Sequence, residues 1–567
     1  MLKHIKRLTA LLLAALFITS CNTGGGTGSA DGVIPKELTE LVIYTQLANF
    51  SGAQAGWAAE VLKDKFNVKI TIINEMPGTF ATRMESGNLG DIVIFGADGD
   101  QYQDAYKAGM LFDWEEDDLV ADFGPYIYEH MKLALEKNRS ISNGKVYGFG
   151  HNVAGDASNH ENFFYYPYLR WDLYEKLGHP KINTLEDFIP ILEQMQALEP
   201  LSDTGNKTYG VSFFPDWDGD MVMMVKSTGA LYGYDEFGFG LYDTKTQTFE
   251  DCLDPNGIYL RSLKFYNTLY QKGLLDPDSM TQTFDDMIEK YKNGGAFFNI
   301  FSWMADAFNT TEHKENGRVM GAVAAADQKN IAYGLNVFGG TRVWTIGAKT
   351  NYPELCMMII DWFCTPEGVL TYNYGPKDLM WDYDENGDTF LTEIGLNARF
   401  DKETTIINYL GYNGTYRDGE FQHNNTTWNI DAVNPDSASD ETYNWEDWRN
   451  TVLSREVYPI EQSWRDYYDA YRPDDYLKAR GHLSVSIGST FSMGTRDAEL
   501  NATWNQVKEC IKAGTWTAMY ANTDAEFDVL VQKMTDEAKA YGYDECIAWV
   551  RGEAQRRKEL EDEALGL

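Results

Sequence analysis

The first 150 residues alternate short apolar runs with amphipathic stretches. Residues 41–47, 68–74 and 91–95 are rich in Val and Ile and predict strands, while residues 53–66 have the periodicity of an amphipathic helix. No hairpin turn separates the strands, so the pattern predicts a parallel sheet with right-handed crossovers. The carboxyl ends of such strands form a ligand-binding edge, which places residues 48–52 and 96–100 there.

A second α/β unit begins near residue 160. Strands are predicted at 163–166, 209–214 and 296–301, and helices at 171–177, 184–198, 257–272 and 284–292. Further on, the pattern predicts strands at 319–325 and 343–346, a buried helix at 353–364, a loop-rich insertion at 410–445, and helices at 500–511, 524–540 and 546–563. The charged residues of the last helix predict a solvated face.

The amino terminus has the pattern of a lipoprotein signal peptide. Lys3, Lys6 and Arg7 precede an apolar stretch too short to span a bilayer, and small residues lead to Cys21. We therefore predict a signal peptide at 1–20, lipidation of Cys21, and a flexible glycine-rich tether at 21–37. The alternative is an ordinary secreted protein cleaved near Cys21.

The charge of the chain narrows its partners. The 567 residues carry a formal net charge of −38, so nucleic acid is excluded as a partner and electrostatic binding to anionic lipid is disfavoured. Membrane attachment is expected through the acyl chains alone. The cysteines other than Cys21 have neither CxxC nor metal-site spacing, so no disulfide framework and no resident cofactor are predicted, and a monomer is expected.

Several short motifs occur in a characteristic order: residues 85–93 (ESGNLGDIV), 107–111 (KAGML), 170–178 (RWDLYEKLG), 272–275 (KGLL) and 361–368 (DWFCTPEG). Together with the Cys21 motif, they resemble extracellular solute-binding proteins (family 1) of ABC sugar transporters, in the long oligosaccharide-binding lipoprotein branch. The resemblance implies an α/β, two-lobed, periplasmic-binding-protein-like fold, each lobe a sheet flanked by helices, joined by hinge crossings. It also implies capture of an oligosaccharide and its delivery to a membrane permease.

We divide the chain accordingly. The first lobe is predicted to comprise 38–152 and about 305–370, and the second 153–304 and about 371–567. The protein is expected at the extracytoplasmic face of the cell membrane, lipid-anchored.

A sugar site needs flat aromatic surfaces and side chains that exchange hydrogen bonds with hydroxyl groups. Aromatic residues with polar neighbours follow predicted strands or precede turns, and we select as ligand-binding candidates Trp217, Asp218, Trp303, Tyr374, Lys377 and Trp381. A place in the core is the alternative for each ring.

Polar candidates come from the strand ends and from the first lobe crossing. Asn49 follows the first strand, and Asp98 and Asp100 follow the third. His151 lies near the predicted crossing. The alternatives are turn formation for the first three and a structural hinge role for His151.

Residues 382–393 match the spacing of a calcium loop, with Asp382, Asp384, Asn386, Asp388 and Glu393 at ligand positions and Gly387 at the turn. However, Asn386-Gly387 is also a strong hairpin signal, and flanking helices are not evident. We favour the hairpin and keep calcium as the alternative.

Two alternative functions remain. A lipid-anchored glycan hydrolase needs a carboxylate pair, and the abundance of Asp and Glu makes such pairs uninformative. GxSxG, HExxH and Walker motifs do not occur, so a non-enzymatic carrier is preferred. A carrier of acidic sugars or peptides would need cleft cations such as Lys377 or Arg342.

Overall fold

The computed structural model describes residues 32–424 and 427–567, so the predicted signal peptide and Cys21 lie outside the described residues. The predicted tether reaches residue 37, but Val33 already packs against a hydrophobic core and Asn67 Nδ2 donates to the carbonyl of Pro35 at 2.8 Å. The folded part therefore begins a few residues earlier than the sequence indicated.

The strands are β1 (Thr39–Thr45), β2 (Gly52–Ala53), β3 (Val68–Asn74), β4 (Ile92–Ala97), β5 (Gly148–His151), β6 (Tyr165–Arg170), β7 (Tyr234–Glu236), β8 (Gly240–Asp243), β9 (Thr248–Asp251), β10 (Phe298–Phe301), β11 (Met320–Ala322), β12 (Asn330–Tyr333), β13 (Thr341–Ile346), β14 (Trp381–Tyr383), β15 (Thr389–Leu391), β16 (Thr405–Tyr409), β17 (Tyr412–Thr415) and β18 (Leu483–Ser486).

The α-helices of the described residues are α1 (Gly56–Phe66), α2 (Thr79–Ser86), α3 (Asp100–Lys107), α4 (Leu119–Phe123), α5 (Pro125–His130), α6 (Lys132–Ile141), α7 (Trp171–Lys176), α8 (Phe188–Leu198), α9 (Met223–Thr228), α10 (Ile258–Gln271), α11 (Phe284–Lys292), α12 (Ser302–Phe308), α13 (Thr311–Glu315), α14 (Pro353–Cys364), α15 (Pro366–Tyr374), α16 (Glu393–Phe400), α17 (Tyr416–Gly419), α18 (Arg449–Ser454), α19 (Pro459–Tyr468), α20 (Pro473–Ala479), α21 (Ala498–Met519), α22 (Asp524–Ala540) and α23 (Tyr543–Ala564).

A six-stranded sheet in the order β2-β3-β1-β4-β13-β5 organises the amino-terminal part. Strand β1 is parallel to β3 and β4, as predicted, whereas β13 runs antiparallel to β4 and β5. Successive residues of a strand point to opposite faces. Ile92 and Ile94 thus pack on one face, and Val93 and Phe95 on the other. Because buried residues pack on both faces of this sheet, a ligand would reach it at the ends of its strands.

A second region is built on a three-stranded antiparallel sheet, β10-β6-β11, surrounded by helices. The predicted strand at 209–214 is reduced to isolated bridges, Tyr209 with Ala296 and Val211 with Leu275. The expected second α/β unit is therefore present, with a smaller regular sheet than its apolar runs suggested.

The two hydrophobic cores divide the chain differently from the predicted lobes. The first core takes buried residues from Leu41 to Ala154 and from Leu335 to Trp448, and the second from Phe163 to Ala332 and from Ile460 to Ala554. The division at 305 and 371 is thereby corrected. Residues 320–322 belong to the second core because β11 pairs with β6.

Residues 371–448 belong to the first core because their large rings pack on its sheet and helices. Trp57 of α1, for example, donates through Nε1 to the carbonyl of Tyr416 at 2.9 Å. Within the described ranges the chain passes between the two cores three times, after Ala154, Ala332 and Trp448. These passages are the interlobe crossings.

Within residues 32–424 and 427–567, each helix is too short or too polar to cross a lipid bilayer.

Candidate functional site

Five aromatic side chains of the second region form a continuous surface, here called the aromatic platform: Phe164, Trp217, Phe284, Phe301 and Trp303. The Trp217 ring stacks on Phe284 with centroids 4.8 Å apart, and Trp303 stacks on Phe301 at 5.2 Å. Trp217 and Trp303 are 5.5 Å apart, and Phe164 lies 5.5 Å from Phe301. Trp217 is 52 % exposed and Phe164 46 %, whereas Phe301 is buried beneath them. The platform thus presents flat apolar faces to solvent.

Local structure explains how the rings converge. Phe301 pairs with Tyr165 across the β10-β6 ladder, which brings Phe164 beside it, and Trp303 follows in the first turn of α12. Thr283 and Asp286 form a capping box at the start of α11, which fixes Phe284 at the first helical position. Antiparallel pairing and a helix start therefore assemble rings that are distant in sequence.

Two aspartates hold the loop that carries Trp217. Asp216 Oδ2 accepts the backbone N–H of Phe284 at 3.0 Å. Asp218 accepts the backbone N–H of Met223 at 2.8 Å and the indole N–H of Trp516 at 2.7 Å. Burial raises the pKa of Asp218. Asp218, selected as a ligand contact, therefore uses both oxygens within the protein and positions its neighbour.

Polar groups border the platform. Lys226 Nζ lies 2.5 Å from Glu236 Oε1, and Gly219 is so close that a Cβ there would be 3.0 Å from this ammonium group. Tyr333 donates its hydroxyl to Asp235 at 3.1 Å. Burial raises the pKa of the Tyr165 hydroxyl, so this group stays protonated as a hydrogen-bond donor at neutral pH. Such groups match the hydroxyl rim of a sugar.

The carboxyl ends of β1 and β4 carry the polar residues expected there. Asn49 and Asp100 are exposed, and Asp100 lies in the first turn of α3. Asp98 is paired with Lys137, whose Nζ is 2.7 Å from Oδ2. Gln46 Oε1 accepts the backbone N–H of Gly96 at 2.9 Å. The structure thus brings the predicted residues to one edge of the first sheet.

His151 lies inside the first core. Its ring is fully buried and stacks between Phe149, at 4.5 Å, and Trp344, at 5.0 Å. Phe149 and His151 are two positions apart on β5, so their side chains lie on the same face of the sheet. The neighbouring strand β13 supplies Trp344, which pairs with Phe149. The structure assigns His151 the structural role that the sequence left open.

Tyr374, Lys377 and Trp381 also lie in or against the first core, away from the aromatic platform. Tyr374 accepts the backbone N–H of Trp445 at 3.0 Å, and Trp381 donates to the carbonyl of Gly375 at 2.9 Å. The Lys377 ammonium packs 6.0 Å from the Trp381 ring centroid. Tyr374 and Trp381 are thus buried in the first core and do not line a cleft, whereas the binding role of the partly exposed Lys377 stays a prediction.

The model of the family of bacterial extracellular solute-binding proteins matches residues 57–376. The chain belongs to this family. A curated relative, Lipoprotein LipO of Bacillus subtilis (strain 168), is 23% identical over 285 residues; the match covers 48% of this chain and about half, 51%, of the relative.

Solved structures similar to this solute-binding protein include the following two bacterial proteins. The N-glycan transport solute binding protein NgtS of Streptococcus pneumoniae has 16% identity and a TM-score of 0.43, covering 93% of this chain and 99% of its own. An extracellular solute-binding protein of Bifidobacterium longum subsp. infantis has 15% identity and a TM-score of 0.47, covering 94% and 100%.

The calcium-loop segment of this solute-binding protein forms the favoured hairpin. Strands β14 and β15 pair Trp381 with Leu391 and Tyr383 with Thr389. Asp384 Oδ1 accepts the backbone N–H groups of Asn386 and Asp388, each at 2.9 Å, as expected of a tight turn. Within the described residues, no cluster of three or more His, Cys, Asp or Glu is arranged to hold a metal ion. Calcium binding at this segment stays the untested alternative.

Sequence reasoning missed several platform residues of this solute-binding protein. Phe164 immediately precedes β6, and Phe284 opens α11 after the capping box, so both were marked by their place at an element boundary. The sequence around Lys226 and Glu236, which border the platform, does not indicate that they form an ion pair, because their contact depends on how α9 packs against β7.

Proposed function

We propose that this protein is the substrate-binding lipoprotein of an ABC importer. It captures a neutral oligosaccharide between its two lobes and delivers it, chemically unchanged, to a membrane permease. Cys21 anchors the monomeric chain to the extracytoplasmic face of the membrane. Membership of the solute-binding family supports the carrier role, and the name of the relative LipO agrees with a lipoprotein.

The aromatic platform carries the proposal. A pyranose ring has an apolar face that packs on an indole or phenyl ring, and its equatorial hydroxyls extend sideways to polar groups. The ring centroids of Trp217 and Trp303 are 5.5 Å apart and their planes are inclined at 59°, so the two indoles form an angled aromatic surface on which a sugar ring can pack. Lys226, Glu236 and Tyr333 border these faces with donors and acceptors. This combination fits a carbohydrate better than a fully apolar ligand.

The charges beside the platform favour a neutral sugar. Glu236 pairs with the ammonium group of Lys226 and Asp235 with the guanidinium group of Arg557, and Asp216 adds a further carboxylate. A uronate carboxylate would have to break one of these pairs and approach the carboxylates, which costs electrostatic free energy. Acidic oligosaccharides should therefore bind more weakly than neutral ones.

Binding is proposed to involve both lobes. The platform holds one side of the ligand, and Asn49 and Asp100, exposed at the edge of the first sheet, contact it from the other side. A ligand that touches both lobes binds the closed arrangement more tightly than the open one, and this difference in affinity shifts the population toward closure. No bond of the ligand is made or broken in this mechanism.

A glycan panel measured by calorimetry tests the function. We expect saturable binding of a neutral oligosaccharide and a loss of about 10-fold or more in affinity for Trp217→Ala and for Trp303→Ala, because each removes a stacking face. Tyr128→Ala is the matched control, since Tyr128 is 54 % exposed on α5 of the first lobe; its affinity should match that of the unmodified protein.

Three outcomes would contradict the proposal. They are absence of binding across the panel, unchanged affinity in both tryptophan variants, and shortened sugars among the recovered products. The last result would favour a glycan hydrolase. Mass spectrometry of the mature protein tests the anchor, because lipidation adds the mass of a diacylglycerol to Cys21.

A further inference from the structure

A cavity lies on the first lobe, away from the aromatic platform. It has a volume of about 490 Å³ and is formed where the end of α1 meets the α4–α5 junction and α14. Its walls include Phe66, Phe123, Met358 and Trp362, and Asp361 lies among them. We call this cavity the carboxylate pocket. Its size is within the range of sites that bind small molecules, about 300–1,000 Å³.

Asp361 is a buried carboxylate whose hydrogen bonds come from the backbone. It is only 8 % exposed, and Oδ1 accepts the N–H of Ile127 at 2.8 Å, at the start of α5. Among the described residues, Asp361 forms no ion pair within 4.0 Å. The ammonium group at the rim, Lys65 Nζ, is instead 2.5 Å from Glu367. A buried carboxylate without a cationic partner is costly when ionised, so a cation entering the pocket would remove that cost.

The aromatic walls favour the same kind of ligand. Phe66 and Trp362 meet edge to face with centroids 5.9 Å apart. The Lys65 ammonium lies 5.3 Å from the centroid of the Trp362 ring and is paired with Glu367 at 2.5 Å. Because Asp122 and Asp361 also line the cavity, the carboxylates there outnumber this ammonium group, and a further cation beside the indole is favoured electrostatically. The negative faces of aromatic rings attract cations, and quaternary ammonium groups in particular are bound by such rings.

We propose that the carboxylate pocket binds a small organic cation, a protonated or quaternary amine, with Asp361 as the counter-ion and Trp362 as the aromatic wall. The pocket lies on the first core, whereas the platform belongs to the second region. The cation site is therefore separate from the proposed sugar site and does not depend on it.

Choline and its uncharged isostere 3,3-dimethylbutan-1-ol are the probes. They have nearly the same shape, and only choline carries a charge. In calorimetry with the full-length protein, choline should bind saturably, and the isostere should bind about 10-fold more weakly or worse, a difference of about 1.4 kcal/mol, because it makes neither the cation–π contact nor the ion pair. Equal binding of the two probes, or no saturable binding of choline at about 10 mM, would overturn the proposal.

Two variants locate the site. Asp361→Asn keeps a hydrogen-bond acceptor for Ile127 but removes the charge, and Trp362→Leu removes the aromatic wall. Each should weaken choline binding by about 10-fold, and near-ultraviolet circular dichroism checks that each is folded. Unchanged choline affinity in both folded variants would refute the site. If neither variant folds, the comparison of the two probes on the unmodified protein decides. Choline and glycan are titrated separately, so failure of one proposal leaves the other to its own test.

Discussion

Trp217 has a half-exposed ring in a fixed position because Asp216 and Asp218 tie its loop to α11, α9 and α21. The two aspartates act through hydrogen bonds to backbone and indole N–H groups. Asp216 and Asp218 thus stabilise the loop, and Trp217 between them is the proposed ligand contact, so single substitutions can separate the two roles.

Asp218→Ala should lower the free energy of unfolding by about 1–3 kcal/mol, because it leaves the indole N–H of Trp516 and the backbone N–H of Met223 without their acceptor. Denaturant unfolding measures the loss. Asp220→Ala is the matched control, since this carboxylate is 3.8 Å from Lys508 and partly exposed, and its removal should change stability by less than about 0.5 kcal/mol. A loss as small as the control's would show that Asp218 does not hold the loop.

Asp361 gives a prediction about pH. Burial raises the pKa of this carboxyl from its ordinary value to about 7, although two backbone N–H groups favour the charged form. The folded state therefore retains a proton that the unfolded state has released between about pH 4 and 7, and this contribution to stability is lost as pH rises through that window.

Asp361→Asn removes this titration. The stability of the variant relative to the unmodified protein should therefore rise by about 2 kcal/mol between about pH 5 and pH 8. Denaturant unfolding of both proteins at the two pH values measures the difference. A constant difference would show that Asp361 is ionised throughout.

The individual site residues show what a sequence can predict. Trp217 and Trp303 were selected because each follows an apolar run, and the structure places the two rings beside each other; their contact with a ligand stays a prediction. His151 and Tyr374 are buried by rings from residues far away in sequence, Trp344 against His151 and Trp448 against Tyr374, and no local pattern indicates those contacts. An aromatic or polar residue beside a glycine has the same local pattern in a core as in a cleft.

Helix α23 shows the same limit at the scale of an element. Its charged residues predicted a solvated face, and Arg551 is indeed exposed. One turn and a half later, however, Arg557 is buried and lies 2.9 Å from Asp235, 2.8 Å from Glu561 and 2.7 Å from the Ser486 hydroxyl. Helical periodicity identified the helix and its internal pair with Glu561, but the other two partners of Arg557, Asp235 and Ser486, lie on β7 and β18.

Arg557→Met should destabilise the protein by about 3–5 kcal/mol, because it leaves the carboxylates of Asp235 and Glu561 without their cation in a buried setting. Arg551→Met on the same helix is the matched control and should stay within about 0.5 kcal/mol of the unmodified protein. Both values come from denaturant unfolding. Similar small changes in the two variants would mean that the network does not anchor α23.

At the scale of the whole molecule, hydrophobic periodicity predicted the α/β class and the parallel pairing of β1 with β3 and β4. It did not show that residues 371–448 return to the first core, since a loop-rich segment has no periodicity to follow. The consequence is a contact between lobes: Asp447, beside the first-core residue Trp448, accepts from Asn162 at 2.9 Å and pairs with Arg472, both on the second-region side. The crossings are thus braced by a polar contact.

Closure is the property of the whole molecule that the proposed function requires. We expect the two cores to rotate about the passages after Ala154, Ala332 and Trp448, the crossings found within the described residues, and a ligand bound by both lobes to select the closed arrangement. Small-angle X-ray scattering should therefore show a smaller radius of gyration at saturating glycan than without it. Trp217→Ala, measured at the same glycan concentration, should remain close to its ligand-free curve because it binds less ligand. Superimposable curves for the saturated and ligand-free unmodified protein would contradict hinge closure, even if calorimetry had shown binding.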